Sequence, residues 1–199
     1  MRTIDTAKHE ERRAQILAAA QRCFARSGFH GGTISQICVE ARISPGHLYH
    51  YFKSKEAIIA AIAESGLDYA QSRMTELAAA KTDAISAVVT ELANLRNVPR
   101  GTGHGILLDV LAEASRDPGV GKSLQEASEA KLLLLASFFE DAQARGEIDP
   151  TLDSQMIAAI VISLIDAGKA LSIRCPDLDM TRLGASMEDM LRRFLTPQS

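Results

Sequence analysis

One short segment near the amino terminus concentrates the side chains best suited to binding a polyanion. It reads SPGHLYHYFKSKE over residues 44–56. Its tyrosines and histidines donate and accept hydrogen bonds, and its lysines attract negative charge. A short helix with so little apolar surface is a poor core element, whereas it suits the groove of a nucleic acid. The segment therefore predicts contacts with phosphates and base edges.

Helix-start signals around this segment predict two helices joined by a short turn. Thr33, with a glutamine three residues later, has the pattern of a capping box. Ser44 followed by Pro45 is a favoured start for the next helix, which should end near Phe52. Ser54 is a favoured cap for a fourth helix. Two helices with this spacing form a helix-turn-helix, whose second helix enters the major groove of DNA.

The remaining sequence predicts further helices. Ala, Leu and Ile dominate an apolar content of 46%, and aromatic residues contribute 5%, a composition that favours helix over sheet. A first helix is predicted over residues 8–27, ended by Gly28 in a left-handed conformation and followed by a tight loop at 30–32. Later helices are predicted over residues 54 to beyond 80, 83–97, 105–116, 120–145, 153–173 and 180–195.

These elements predict an all-α protein of about nine helices. We expect a three-helix helix-turn-helix DNA-binding domain at residues 8–55. A larger helical domain at residues 56–199 would bind an effector and form the dimer.

Charge is divided unevenly along the chain. Nine Lys and Arg stand against five acidic residues up to Glu56, whereas the remainder carries an excess of seven acids, for a net charge of −3. A basic amino-terminal part on an acidic body suggests that the amino-terminal part meets a polyanion. A chance fluctuation of four charges is the alternative.

Several classes of protein are disfavoured. The three cysteines, Cys23, Cys38 and Cys175, include no CxxC pair, which argues against a disulfide framework or a zinc site. The common hydrolase, metalloprotease and P-loop motifs are missing, so no enzyme is expected. No apolar run approaches the roughly 20 residues of a membrane span, and the polar start resembles no signal peptide. We expect a cytoplasmic protein without metal or other cofactor.

The segment resembles the DNA-binding domain of the TetR (tetracycline-repressor-like) family. The family pattern is a Thr or Ser start, a short helix, the core Ser-x-Gly-x-Leu-Tyr-x-Tyr/His-Phe, and then x-x-Lys-Glu. Here it stands as Thr33, SPGHLYHYF from Ser44, and KSKE from Lys53, and the resemblance covers roughly residues 10–60. In one departure, Arg42 stands where the turn usually has Gly. If that position needs a positive φ, the substitution costs ~1 kcal/mol.

The resemblance implies a homodimeric, ligand-responsive transcriptional regulator, usually a repressor, that binds a double-stranded operator and is released by a small-molecule effector. By the motif, residues at phosphate-contact positions are Thr33, Tyr49, Tyr51 and Lys55. Residues at positions near base edges are Pro45, Gly46, His47 and His50. Arg42, Ser44 and Lys53 complete the predicted DNA-binding set.

Apolar stripes in the later helices predict a cavity and a dimer interface. Cavity candidates are Tyr69, Met74, His104, Leu108, Leu111, Leu135, Phe138 and Phe139. Few charges intrude on these stripes, so an apolar or amphipathic effector is favoured. The last two helices carry seams that would close a four-helix bundle between two chains. Its candidates are Ile157, Ile160, Leu164, Leu171, Leu183, Met187, Met190 and Phe194.

Two other functions stay open. A helical sensor or adaptor would keep an amino-terminal domain that no longer binds DNA, and it would act through protein partners. A small helical enzyme is the second alternative. Salt-sensitive preference for one duplex sequence distinguishes a DNA-binding regulator from both.

Overall fold

The structure is a computed structural model, and it describes residues 6–79, 83–94 and 104–197. Within these ranges the chain forms nine helices and no strand, which confirms the predicted all-α class. The helices are α1 (Thr6–Gly31), α2 (Ile34–Ala41), α3 (Pro45–Tyr51), α4 (Lys55–Ala79), α5 (Ala84–Asn94), α6 (His104–Ala114), α7 (Pro118–Ala144), α8 (Ser154–Arg174) and α9 (Met180–Leu195).

The helix starts around α3 are capped as the sequence predicts. The Thr33 hydroxyl accepts a hydrogen bond from the Gln36 amide at 3.2 Å, and the Gln36 side chain accepts one from the Thr33 amide at 2.9 Å. The Ser44 and Ser54 hydroxyls each accept a hydrogen bond from the backbone amide three residues further on, at 3.3 and 3.1 Å. These caps satisfy amides that have no partner within their own helices.

The first helix continues further than predicted. Gly28 adopts a φ of 69° and breaks the helical geometry, as expected, but a further helical turn then runs to Gly31 in place of the loop. The buried Phe29 holds this turn, with its ring centroid 5.3 Å from that of Phe24. A Cβ on Gly32 would lie 2.7 Å from the Phe24 ring, so this close approach requires glycine.

The chain divides into two compact units, and the division differs from the predicted boundary at residues 55 and 56. The first unit comprises residues 6–65 and 104–125 of the described chain. Helix α6 packs on α1, and its Ile106 and Val110 join the core that contains Ile16 and Phe24. These apolar side chains place α6 with the helix-turn-helix despite its distance along the chain.

The second unit comprises residues 66–94 and 126–197 of the described chain. Its core surrounds Phe139, Ile148 and Leu191, each at most 1% exposed. Helix α5 packs against α9. The Asp149 amide donates a hydrogen bond to the Leu195 carbonyl at 2.9 Å, which ties the loop after α7 to the end of α9.

Helix α8 is more apolar than expected from the length of the apolar runs in the sequence. Among the described helices it alone is long and apolar enough, by length and composition, to cross a membrane. Asp166 and Lys169 interrupt its apolar sequence, which is why no long apolar run was counted. Core helices of globular proteins pass the same test, and Ile157, Ala158 and Val161 of α8 are buried in the second unit.

Arg42→Gly should stabilise the protein by about 0.5–1 kcal/mol. Arg42 has a left-handed φ of 55°, which costs a non-glycine residue roughly 1–2 kcal/mol. The greater freedom of glycine in the unfolded chain offsets about half of this gain. Chemical denaturation measures the change. The control Ser72→Gly, at an exposed position within α4, should destabilise by about 0.5 kcal/mol. Equal losses in both variants would contradict strain at Arg42.

Candidate nucleic-acid interface and effector cavity

Helix α3 is anchored by one face and open on the other. Leu48 and Phe52, four residues apart, are 0% and 4% exposed and belong to the core of the first unit. This burial turns the polar residues of α3 toward solvent. The residues of α3 that the structure leaves exposed are Pro45, Gly46, His47, Tyr49 and His50. The arrangement presents backbone and polar side chains as a continuous surface that a groove can accept.

The turn before α3 is fixed by backbone hydrogen bonds. The Arg42 amide donates to the Val39 carbonyl at 3.2 Å, and the Ile43 amide donates to the Cys38 carbonyl at 3.0 Å. Arg42 itself is left-handed, so the turn keeps the geometry that a glycine would give it. Its side chain is exposed. The departure from the family pattern therefore adds a cation beside α3 without relaxing the turn.

Tyr51 lies among three histidines. It is half-buried, and its ring centroid is 4.7 Å from that of His9, 5.5 Å from that of His47 and 5.4 Å from that of His50. His9 comes from α1 and was missed by the sequence reasoning. The concentration of four of the five histidines in the first 50 residues was the available signal.

The two lysines after α3 differ in their surroundings. Lys55 is half-buried, and its Nζ donates to the carbonyls of Phe29 and Gly32 at 2.9 and 3.3 Å. Two of its three protons are therefore used within the protein, and it ties the start of α4 to the last turn of α1 and to Gly32 just after it. Lys53 is exposed, with its Nζ 3.4 Å from the Tyr49 carbonyl. It is the more available cation for a phosphate.

Two arginines of α1 are also engaged within the first unit. Arg22 and Arg26 each donate a 2.7 Å hydrogen bond to Glu40 of α2. These hydrogen bonds hold the pKa of the Glu40 carboxyl below its usual range. The three side chains join α1 to α2, and they neutralise part of the positive charge counted in the sequence.

The second unit contains a cavity of about 290 Å³ between residues of α4, α5, α7 and α8. Five of the predicted residues line it: Tyr69, Met74, Leu135, Phe138 and Phe139. Two other predicted lining residues lie elsewhere. Leu108 and Leu111 belong to the first unit, where they are 42% and 49% exposed. The side chain of His104 lies outside the described residues.

Charged residues line this cavity in greater number than the sequence suggested. They are Arg73, Glu91, Lys131, Asp166 and Lys169. The Arg73 Nε donates to Glu91 at 2.6 Å, and the Tyr69 hydroxyl donates to the same carboxylate at 3.1 Å. Burial and the charge of Glu91 raise the pKa of Tyr69. Isolated charges within the apolar patterns of α7 and α8 were the only available sequence signal.

The proposed dimer residues fall into two groups. Ile157 is 1% exposed and belongs to the core of its own unit, and Leu164 and Met187 pack against the same core. Leu171 and Leu183 are half-buried. The large apolar side chains that α8 and α9 leave most open are Met156 (54%), Met190 (47%), Ile173 (46%), Ile160 (38%) and Phe194 (38%).

Comparison with known proteins agrees with the geometry of the first unit. The model of the family described as "Bacterial regulatory proteins, tetR family" matches residues 16–62, which include α2, α3 and the turn between them. The chain is also 32% identical over 152 residues to the HTH-type transcriptional regulator UidR of Escherichia coli K12. That match covers 76% of each chain.

The chain belongs to the TetR family.

Solved structures of similar proteins support the TetR-family fold. Salmonella enterica GusR is 26% identical, with a TM-score of 0.69 over 92% of this chain and 96% of that one. Bacillus subtilis FadR, solved in complex with stearoyl-CoA, is 20% identical, with a TM-score of 0.68 over 89% and 96% of the two chains. As a TetR-family member, the protein is a helix-turn-helix DNA-binding transcriptional regulator. The family consists of regulators and not of enzymes.

Glu40→Gln should destabilise the protein at neutral pH, and this difference should shrink in acid. The folded-state pKa of Glu40 is lowered, so its contribution is complete above the unfolded pKa and is lost as the pH falls through the folded value. The free energy of unfolding of both proteins, measured from pH 7 to pH 3, tests this. Asp68→Asn, at an exposed position of α4, controls for losing one carboxylate. If the loss of unfolding free energy in Glu40→Gln stayed constant down to pH 3, the lowered pKa of Glu40 would be contradicted.

Proposed function

We propose that the protein is a cytoplasmic, homodimeric repressor that an effector releases from a pseudo-palindromic operator. The single observation that carries the DNA part of this proposal is the anchoring of α3 through Leu48 and Phe52, with its polar face exposed. The 32% identity to a helix-turn-helix transcriptional regulator supports it.

The groups around α3 suggest a division of roles on DNA. Phosphates would be held by exposed hydroxyl and cationic groups, which fix the position of the helix. Those that we assign are Thr33, Arg42, Ser44, Tyr49 and Lys53. Base edges would be read by Pro45, Gly46, His47 and His50 at the exposed start of α3. Tyr51 and Lys55 would mainly position the others, because both are half-buried and engaged within the first unit.

Dimerisation would supply the selectivity that one seven-residue helix lacks. Two copies of α3 would read half-sites one DNA turn apart, ~34–36 Å, or a multiple of it. The exposed apolar residues of α8 and α9 support a face-to-face pairing of these helices, since such a face is stabilised by a second copy. Only 22% of the most apolar stretch of α8 is buried within the described chain. This low burial agrees with a helix that packs against a second copy.

Effector control would act through α4. This helix contributes Ile58 and Ile59 to the core of the first unit, and Tyr69 and Arg73 to the cavity of the second. A ligand that repositions α4 would therefore alter how α3 is presented. To change operator occupancy fully, the ligand must favour the released state by about 10⁴-fold. The stearoyl-CoA complex of FadR supports ligand binding by a protein of this fold.

His47→Ala and Lys53→Ala should affect DNA binding differently. An operator is first selected from a random pool of duplexes, and its affinity is compared with that of single-base variants over a range of salt. Lys53→Ala should weaken all duplexes alike and reduce the salt slope by about one per α3 copy. His47→Ala should flatten base preference at one position in each half-site.

Arg174→Ala is the control, since it removes an exposed cation from the end of α8. It should leave the salt slope and the base preference of DNA binding at their wild-type values. The assigned roles would be wrong if Lys53→Ala kept the wild-type salt slope and His47→Ala kept the wild-type base preference.

Met190→Glu should convert the dimer to a folded monomer. The side chain is 47% exposed, so a single chain tolerates the charge, whereas a buried interface does not. Analytical ultracentrifugation gives the mass, and circular dichroism checks that the helix content is kept. Val39→Glu, at a 79% exposed position of α2, is the matched change in the other unit and should stay dimeric. A Met190→Glu protein with the dimer mass would refute the α8–α9 interface.

A further inference from the structure

One ammonium group in the cavity of the second unit has no hydrogen-bond or ion-pair partner among the residues that the structure describes. Lys131 of α7 lines the cavity, one helical turn before Leu135. It makes no hydrogen bond or ion pair with any residue that the structure describes. Burial lowers the pKa of Lys131, and the neighbouring charge of Lys169 lowers it further against the opposing effect of Asp166. Asp166 is ion-paired with Lys169, so it compensates the Lys131 ammonium only in part. An incompletely compensated cation that is partly desolvated is costly, so the site is incomplete on its own.

The other charges at the cavity are already paired. Arg73 and Glu91 form an ion pair at 2.6 Å, and Lys169 and Asp166 form one at 3.2 Å. Arg73 also pairs with Glu76, which does not line the cavity. The lining residues themselves comprise three cations and two carboxylates. Lys131 therefore supplies one net positive charge to the cavity wall.

The remaining wall is largely apolar. Its largest apolar side chains are Met74, Val88, Leu135, Phe138, Phe139 and Ile165. The volume of about 290 Å³ accommodates on the order of ten to twenty non-hydrogen atoms, at roughly 15–30 Å³ for each. An apolar body of this size would fill the space, and burying it would supply most of the binding free energy.

We propose that the effector is an amphipathic monoanion, whose carboxylate pairs with the Lys131 ammonium while its apolar body fills the cavity. This inference rests on the proposed function, because it names the ligand class of the cavity assigned there. A charge-assisted hydrogen bond to a carboxylate would satisfy the unpaired donor. A neutral ligand would leave the ammonium unpaired, and a cationic one would be repelled by it.

Three ten-carbon probes that differ in the head group test the charge requirement. Decanoate, 1-decanol and decylamine are titrated into the full-length protein at pH 7, with calorimetry as the readout. Each probe is kept below the concentration at which it forms micelles or reaches its solubility limit. Decanoate should bind at least 10-fold more tightly than decanol, and decylamine should bind most weakly. These differences follow from the worth of a hydrogen bond to a charged group.

Lys131→Met keeps an unbranched side chain and removes the charge. It should lower decanoate affinity about 10- to 100-fold and bring it to the level of decanol, whose affinity should not fall. Lys122→Met, at an exposed position of the same helix in the first unit, should bind all three probes as the wild type does. Equal binding of decanoate and decanol, no measurable decanoate binding, or an anion preference that survives in Lys131→Met would each overturn the proposal.

Operator binding is measured separately on the selected duplex with the same probes. If decanoate binds through Lys131 while operator affinity stays unchanged, the ligand class stands and the effector-release function fails. If both the binding preference and the loss of operator affinity depend on Lys131, both proposals are supported.

Discussion

The burial of Leu48 and Phe52 is the constraint on which the DNA-binding surface depends. These two side chains fix a seven-residue helix that has few apolar contacts of its own, because both enter the core that α1, α2, α4 and α6 share. The outward direction of the polar side chains of α3 then follows from helical geometry. The caps at Thr33 and Ser44 fix where the helices begin, and the left-handed Arg42 fixes the angle between them. The exposed polar face of α3 is thus a consequence of how its buried face packs.

Features set by neighbours along the chain could be predicted from the sequence. The capping box at Thr33, the Ser-Pro start of α3 and the positive φ of Gly28 each involve groups within four residues of one another. The same holds for Arg42, where the expected conformation persists although the residue differs from the usual glycine. The inward positions of Leu48 and Phe52 follow from their four-residue spacing. Local chemistry determines these features, so a sequence reading finds them.

Features set by contacts between distant residues could not be predicted in this way. Lys55 has the type and spacing of a phosphate ligand, but the carbonyls of Phe29 and Gly32 occupy two of its protons. Helix α6 follows a long intervening segment and still joins the first unit. Lys131 forms no ion pair with a described residue because Asp166 pairs with Lys169 and Glu91 pairs with Arg73. In each case the sequence identifies the residue, whereas the fold determines its partner.

Protection of guanine N7 atoms from methylation on the selected operator tests the central claim most directly, because N7 lies in the major groove. Insertion of α3 from each of two copies predicts two protected patches in successive major grooves, ~34–36 Å apart or a multiple of it. Phosphate contacts should flank each patch. Tight, sequence-specific binding with every N7 atom still reactive, or with a single protected patch, would contradict the account.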